Sequence, residues 1–240
     1  MDRVEVKGIE LLAARNQAEL LAFLLNEQGV KTGKLVAINA EKVILSEEQP
    51  DVRQLLAKAE YNYADGISVV WTIHKKYPQF ADLERIAGAD LWLALMQQSA
   101  NLGTPVFLVG GQADVLAETF TKLNTMGVNV VGTQDGYFSL DQEITIFEQI
   151  KQSGAKIISV ALGSPKQEQF MQKAQVYYPD ALYMGVGGSY DVFVGKVKRA
   201  PKCWQNAGLE WLYRLLKQPT RWQRQCRLIK YAYHYWRNQL

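Results

Sequence analysis

Cysteine and histidine are scarce, with two of each in 240 residues. Cys203 and Cys226 cannot build a disulfide framework, and neither belongs to a CxxC pair or to a Cys/His cluster with metal-ligand spacing. A reducing cytoplasm is the compartment this suggests. His74 and His234 are far apart, and Lys75 and Lys76 after His74 point to a solvated face. No stretch approaches about 18 uninterrupted apolar residues, so any membrane contact is expected to be peripheral. The opening segment MDRVEVKGIELL alternates charged and apolar residues and lacks the basic start and apolar run of a signal peptide. HExxH, GxSxG, the P-loop pattern and a DxD pair are absent too. Metalloprotease, α/β-hydrolase, P-loop and metal-dependent sugar-nucleotide readings all lose support. No metal and no cofactor are expected, since no GxGxxG follows a first strand either.

What is present is a foldable chain with 48% hydrophobic and 21% charged residues, long enough for one large domain or one domain with a small appendage. Its net charge of +3 conceals an asymmetry. From Lys196 to Leu240 there are 11 basic residues and one acidic, Glu210, a balance of +10; residues 1–195 carry 16 basic and 23 acidic, a balance of −7. Such a tail calls for an anionic partner, nucleic acid or an anionic membrane surface.

Short apolar runs at Lys34–Ala40, Pro105–Val109, Val128–Val131, Ile157–Leu162 and Ala181–Val186 read as buried strands. Segments with helical spacing lie between them, at Asn16–Gln28, Ala89–Asn101, Asp114–Met126, Asp141–Ser153 and Lys166–Val176. The alternation predicts an α/β domain, a Rossmann-like parallel sheet flanked by helices over residues 1–195. Residues 196–240 show no strand signal and read as a basic helical appendage, its two helical stretches split at Pro219. On the second, Trp222, Cys226, Ile229, Tyr233 and Trp236 form an aromatic apolar face beside a basic face of Arg227, Lys230, His234 and Arg237. Such a helix either lies in a membrane interface or packs its aromatic stripe on the body, and both readings stay open. Without a helix-turn-helix or zinc-finger pattern, nucleic acid is not the expected partner.

Ligands of an open parallel sheet bind beyond the carboxyl ends of its strands. Gly110-Gly111-Gln112 follows one apolar run and leads into a helix, where phosphate oxygens are favoured, or else is a tight turn. Gly163-Ser164-Pro165-Lys166-Gln167-Glu168 follows another: Ser164 is expected to cap a helix and Pro165 to fill its first turn, leaving Lys166 and Gln167 for a diphosphate or base. Gly187-Gly188-Ser189-Tyr190-Asp191 ends in a carboxylate suited to a ribose or base. Convergence of three glycine-rich ends favours a nucleotide site. Asp65, in Tyr63-Ala64-Asp65-Gly66, reads as a turn residue or as a carboxylate held for general base work, with Asn39 and Glu41 arriving nearby. Asp135-Gly136 presents the same two readings.

NAEKV (Asn39–Val43), YADGISVV (Tyr63–Val70), AGADL (Ala87–Leu91), FLVGG (Phe107–Gly111), QDGYF (Gln134–Phe138), GSPKQE (Gly163–Glu168), GVGGSYDVFVGKVKRAP (Gly185–Pro201) and GLEWLYRL (Gly208–Leu215) occur in this order. In these segments the chain resembles the bacterial WecG/TagA/CpsF glycosyltransferases over essentially its whole length. The resemblance implies an inverting, metal-independent transfer of N-acetylmannosaminuronic acid (ManNAcA) from UDP-ManNAcA to undecaprenyl-diphosphate-linked GlcNAc, at the cytoplasmic face of the inner membrane. Relatives that make teichoic acid linkages use UDP-ManNAc, and a membrane-associated nucleotide-binding protein without transfer chemistry is a further alternative. The resemblance assigns the base to Asp65 and places UDP near Gln167 and Asp191; Asn39 and the turn glycines Gly110 and Gly111 complete the expected donor or UDP contacts. It adds Arg214 and Arg221 of the appendage, whose guanidinium forks suit a diphosphate better than a lysine does. One departure is Ala37, where teichoic acid relatives carry threonine two residues before the motif asparagine.

Overall fold

The computed structural model describes residues 1–206, 208, 210–217 and 222–240, and the side chains of all these except 205, 206, 214, 217 and 222–225. The chain opens with Arg3–Val6 (β1), Ile9–Leu12 (β2), Gln17–Leu24 (α1), Leu25–Asn26 (β3) and Gly29–Val30 (β4). It continues through Gly33–Ile38 (β5), Ala40–Glu48 (α2), Pro50–Ala57 (α3), Tyr61–Ala64 (β6), Ile67–Lys76 (α4) and Gly88–Asn101 (α5). Next come Val106–Gly110 (β7), Ala113–Thr125 (α6), Val130–Gln134 (β8), Glu143–Ser153 (α7), Ile157–Ala161 (β9), Lys166–Tyr177 (α8), Leu182–Gly185 (β10) and Ser189–Phe193 (α9). Lys202–Asn206 (α10), Glu210–Lys217 (α11) and Trp222–Trp236 (α12) follow.

Six strands form one parallel sheet in the order β6-β5-β10-β9-β7-β8. Alternate strand residues feed two cores, because successive side chains leave a strand on opposite faces. Val36, Phe107, Val109, Ile158 and Tyr183 pack with α2, α3, α4, α7 and α8 on one face. Leu35, Leu108, Ile157, Leu182 and Met184 pack with α1, α5 and α6 on the other. With both faces covered, the inner strands are predominantly apolar, and the expected α/β architecture is the one observed. β7 hands the chain outward to β8, whereas β9 hands it toward β10, so strand order reverses between β7 and β9. That reversal opens the crevice where such sheets bind ligands.

Several expectations need correction. The helix expected to run to Gln28 stops at Leu24, because the chain turns into the β3–β4 hairpin. The strand expected over Val128–Val131 runs from Val130 to Gln134. It is the sheet's edge, so its outer face is wet and its polar end carries no apolar signal. Ser164 caps nothing: Pro165 occupies the cap position of α8 and no side chain bonds the helix start. His74 is half-buried and bonds the Leu83 carbonyl at 2.8 Å rather than facing solvent. Pro219 and Arg221 lie outside the described residues.

The sheet edge at β6 depends on the β1–β2 hairpin, whose Val4, Val6, Ile9 and Leu11 are buried. Asn62, in the middle of β6, is buried with its amide N–H groups donating to the carbonyls of Glu10 and Leu56 at 3.0 and 2.9 Å, while its Oδ1 has no partner among the described residues. Helix α12 docks on α2 and α4. Its anchor is Tyr231, 2% exposed, whose hydroxyl lies 2.7 Å from that of Thr72. Three residues of the basic face turn inward: Arg227 pairs with Glu48 at 2.9 Å, Lys230 with Glu48 at 3.5 Å, and His234 Nε2 lies 3.2 Å from Glu47, while Arg237 is exposed and bonds Tyr233 on its own helix. The stripe formed by Ile229 (72% exposed), Tyr233 (54%) and Trp236 (81%) faces outward, with Cys226 exposed beside it.

Candidate active site

Asp65 emerges directly from β6. Its N–H donates to the Ile38 carbonyl at 3.0 Å, which ties it to the end of the neighbouring β5. The next residue must be small, since a Cβ on Gly66 would lie 3.1 Å from both the Cα and the Cβ of Asn39. Asp65 Oδ1 accepts from the N–H of Gly88 at 3.1 Å. Gly88 opens the 14-residue helix α5, so the carboxylate sits where the helix dipole favours negative charge. Oδ2 accepts no hydrogen bond among the described residues, and the side chain is 23% exposed. One oxygen is therefore fixed and the other is available to a proton.

Arg85 braces this carboxylate. Its Nε donates to the Asp65 carbonyl at 2.6 Å and its Nη2 lies 3.8 Å from Asp65 Oδ1. The same Nη2 reaches Glu210 Oε2 at 3.1 Å. Glu210, buried at the start of α11, also lies 3.5 Å from Arg199 Nε. Arg199 in turn clasps both carboxylate oxygens of Asp90, one at 2.9 Å. The hydrogen bond to Asp90, and then the flanking acidic charges against partial burial, raise the Arg199 pKa. Behind Asp65, the buried Tyr63 hydroxyl is pushed well above its ordinary range, first by burial and then by the Asp65 charge, so it stays protonated.

Asn39 caps α2, its Oδ1 accepting from the Lys42 N–H at 2.9 Å. Lys42 runs back beneath it to the Ala37 carbonyl at 2.9 Å and to Glu168 at 2.7 Å. Glu168 Oε1 accepts from Gln167 Nε2 at 3.0 Å, and Gln167 Oε1 accepts from the Gly187 N–H at 3.0 Å. A buried polar chain thus links the ends of β5, β9 and β10. Burial pushes the Glu168 carboxyl up, but the Lys42 charge and the hydrogen bonds from Lys42, Gln167 and Ser164 outweigh it and hold the pKa low. Gln167 is only 4% exposed, so it holds the Gly187 turn in place.

The glycine-rich turns meet at the β7/β9 reversal. Gly110 has φ +103°, and a Cβ there would fall 2.3 Å from the Ala161 carbonyl oxygen. Gly111 donates to that same carbonyl at 3.1 Å and accepts from the Gly136 N–H at 2.9 Å. Asp135 accepts from the Tyr137 N–H at 2.8 Å, which makes it a turn residue in this structure. The cap residue of α6, Gln112, makes no side-chain bond to the helix start, and Asp114 in the first turn accepts from the Val115 N–H. Lys196 reaches over this turn to Gln112 and Asp114, both at 2.8 Å. Asp191 sits half-exposed on α9 and its carboxylate accepts no hydrogen bond among the described residues.

The structure gathers Asp65 with Asn39 at the β5/β6 end, Gly110 with Gly111 at the reversal, and Gln167 with the β10 turn. Arg214 lies on α11 with its side chain outside the described set. Sequence reasoning missed Arg85, Arg199, Lys42 and Glu168. Glu210 had left one signal, being the only acid in a basic tail. Among the described residues no group of three or more His, Cys, Asp or Glu is arranged to hold a metal ion. Residues 4–240 match the family described as the glycosyl transferase WecG/TagA/CpsF family, and that span contains every contact described above. The chain belongs to the WecG/TagA/CpsF glycosyltransferase family.

Proposed function

We propose that this glycosyltransferase moves ManNAcA from UDP-ManNAcA to GlcNAc-diphospho-undecaprenol by an inverting, metal-independent displacement. Asp65 carries the reading: one oxygen is held on the Gly88 N–H and the other is open to an acceptor hydroxyl. The open oxygen takes the proton as the sugar hydroxyl attacks the anomeric carbon from the side opposite UDP. The departing diphosphate carries the charge that must be met. The start of the 13-residue helix α6 beside Gly110 and Gly111 suits it, and Asp191 suits the ribose. Arg214 and Arg221 are the proposed diphosphate clamps, Asn39 a donor contact, and Gln167 acts by holding the Gly187 turn.

Peripheral attachment to the cytoplasmic face of a membrane fits the outward stripe of Ile229, Tyr233 and Trp236. Among the described residues no helix is long and apolar enough to cross a membrane. Binding to anionic vesicles tests this part. The mechanism is tested by Asp65→Asn, which keeps the side chain's shape and removes its basicity. Turnover is expected to fall about 10²-fold or more with donor affinity kept. A variant that turns over like the wild type would remove Asp65 from the role of base.

A further inference from the structure

Arg85 joins two parts of the chain that are 125 residues apart. One end of its guanidinium holds the Asp65 carbonyl at 2.6 Å, and the other holds Glu210 Oε2 at 3.1 Å. The second oxygen of Glu210 faces Arg199 at 3.5 Å, and Arg199 clasps Asp90. Asp90 lies in the first turn of α5, the helix whose Gly88 N–H fixes Asp65 Oδ1. The contacts close a ring that starts and ends at Asp65 and passes through the start of α11.

A carboxylate that is 6% exposed is stabilised by the two guanidiniums beside it, since burial alone penalises its charge. Arg199 is held by both oxygens of Asp90 as well, whereas the carboxylates that Arg85 meets are those of Asp65 and Glu210. Seated, Glu210 anchors Arg85 on the carbonyl side of Asp65 and Arg199 on the helix that bonds the Asp65 carboxylate. Without it, Arg85 is left with Asp65 alone, and its fork is free to swing onto the oxygen that should face the acceptor. A lysine at position 85 could not make both contacts, because its single ammonium lacks the planar fork.

We propose that Glu210 is a positioning residue for glycosyl transfer, aiming Asp65 through Arg85 and Arg199, so that a competent base requires α11 to be seated. The proposal rests on the reading of Asp65 as the base. Misplacing a base by about 1 Å is enough to cost up to 10²-fold in rate.

The test uses the full chain with UDP-sugar and lipid-linked acceptor, measuring kcat, donor KM and thermal midpoint. Glu210→Gln is expected to lower kcat about 10-fold or more while donor KM stays within about 3-fold. Glu210→Asp should recover part of the loss. In an Asp65→Asn background, adding Glu210→Gln should change the residual rate by less than about 2-fold, since the residue acts through Asp65. Wild-type turnover in Glu210→Gln overturns the proposal. So does an equal further loss in the Asp65→Asn background, or a rise in KM alone. If Glu210→Gln does not fold, Arg85→Lys carries the same expectations, because it leaves Glu210 with Arg199. Near wild-type activity in Asp65→Asn itself would instead sink the base assignment, a distinct failure.

Discussion

Lys42 and Glu168 form the most deeply buried ion pair among the described residues, at 2.7 Å with side chains 9% and 4% exposed. Lys42→Met strands a carboxylate beside Gln167; Glu168→Leu, the matching single for the double variant, strands an ammonium beneath Asn39, as does Glu168→Gln. Removing one partner of a buried pair costs about 3–5 kcal/mol. In a chain of this length each kcal/mol moves the thermal midpoint by about 2–4 °C, so either single variant should melt roughly 10 °C early. The double variant Lys42→Met/Glu168→Leu leaves no uncompensated charge. It still frees the Ala37 carbonyl and the Gln167 amide, at about 1–3 kcal/mol for each. It should therefore melt no lower than the worse single, a coupling of several kcal/mol that additive sites lack. Acid adds a second signature. Because the Glu168 pKa is depressed below its ordinary 4.5, its contribution is fully present above that pH and fades as the pH falls through the lower folded value. The stability gap between wild type and Glu168→Gln should accordingly be constant from neutral pH down to about 5 and shrink below 4.5. Melting followed by circular dichroism at several pH values measures this. Singles within about 2 °C of wild type, or a double variant equal to the sum of the singles, would refute the reasoning.

Two further outcomes follow from the geometry. Gly110→Ala places a methyl group 2.3 Å from the Ala161 carbonyl at a φ that L-residues rarely adopt, so the β7/β9 crevice must spread. Soluble yield and melting temperature should both fall, and a variant with wild-type melting would show that the two turns are not held in contact. Replacing Ile229 and Trp236 together by alanine should leave melting unchanged, since both face outward, yet markedly reduce co-flotation with phosphatidylglycerol vesicles. Unchanged flotation would remove that stripe from the membrane contact.

The sheet's inner strands were legible because burial on both faces leaves β5, β7, β9 and β10 almost wholly apolar, with Lys34 and Ser159 the buried polar exceptions. The strand β6 was not, because Tyr61 and Asn62 break that pattern and the Asn62 amide finds its acceptors outside the strand, on Glu10 and Leu56. The β1–β2 hairpin had left a signal in its alternation of Val4, Val6, Ile9 and Leu11 around Lys7-Gly8, both at positive φ, a turn suited to two-residue hairpins. At the site, Asp65 and the glycine turns could be found from their place after apolar runs. Arg85, Arg199 and Lys42 could not, because an arginine or lysine carries no local mark of the carboxylate it will meet across the fold. The tail shows the same limit. Its charge balance was plain in the sequence, but the inward turn of Arg227, Lys230 and His234 depends on the acidic face of α2.

The central claim is the transfer itself, and it is tested by incubating the purified full chain with GlcNAc-diphospho-undecaprenol and either UDP-ManNAcA or UDP-ManNAc, in EDTA. Release of UDP with an inverted disaccharide lipid is expected from UDP-ManNAcA, little from UDP-ManNAc, and about 10²-fold less, or lower, with Asp65→Asn. UDP-ManNAc as the better donor would contradict the assigned sugar. Donor binding with no product from either would contradict the transfer.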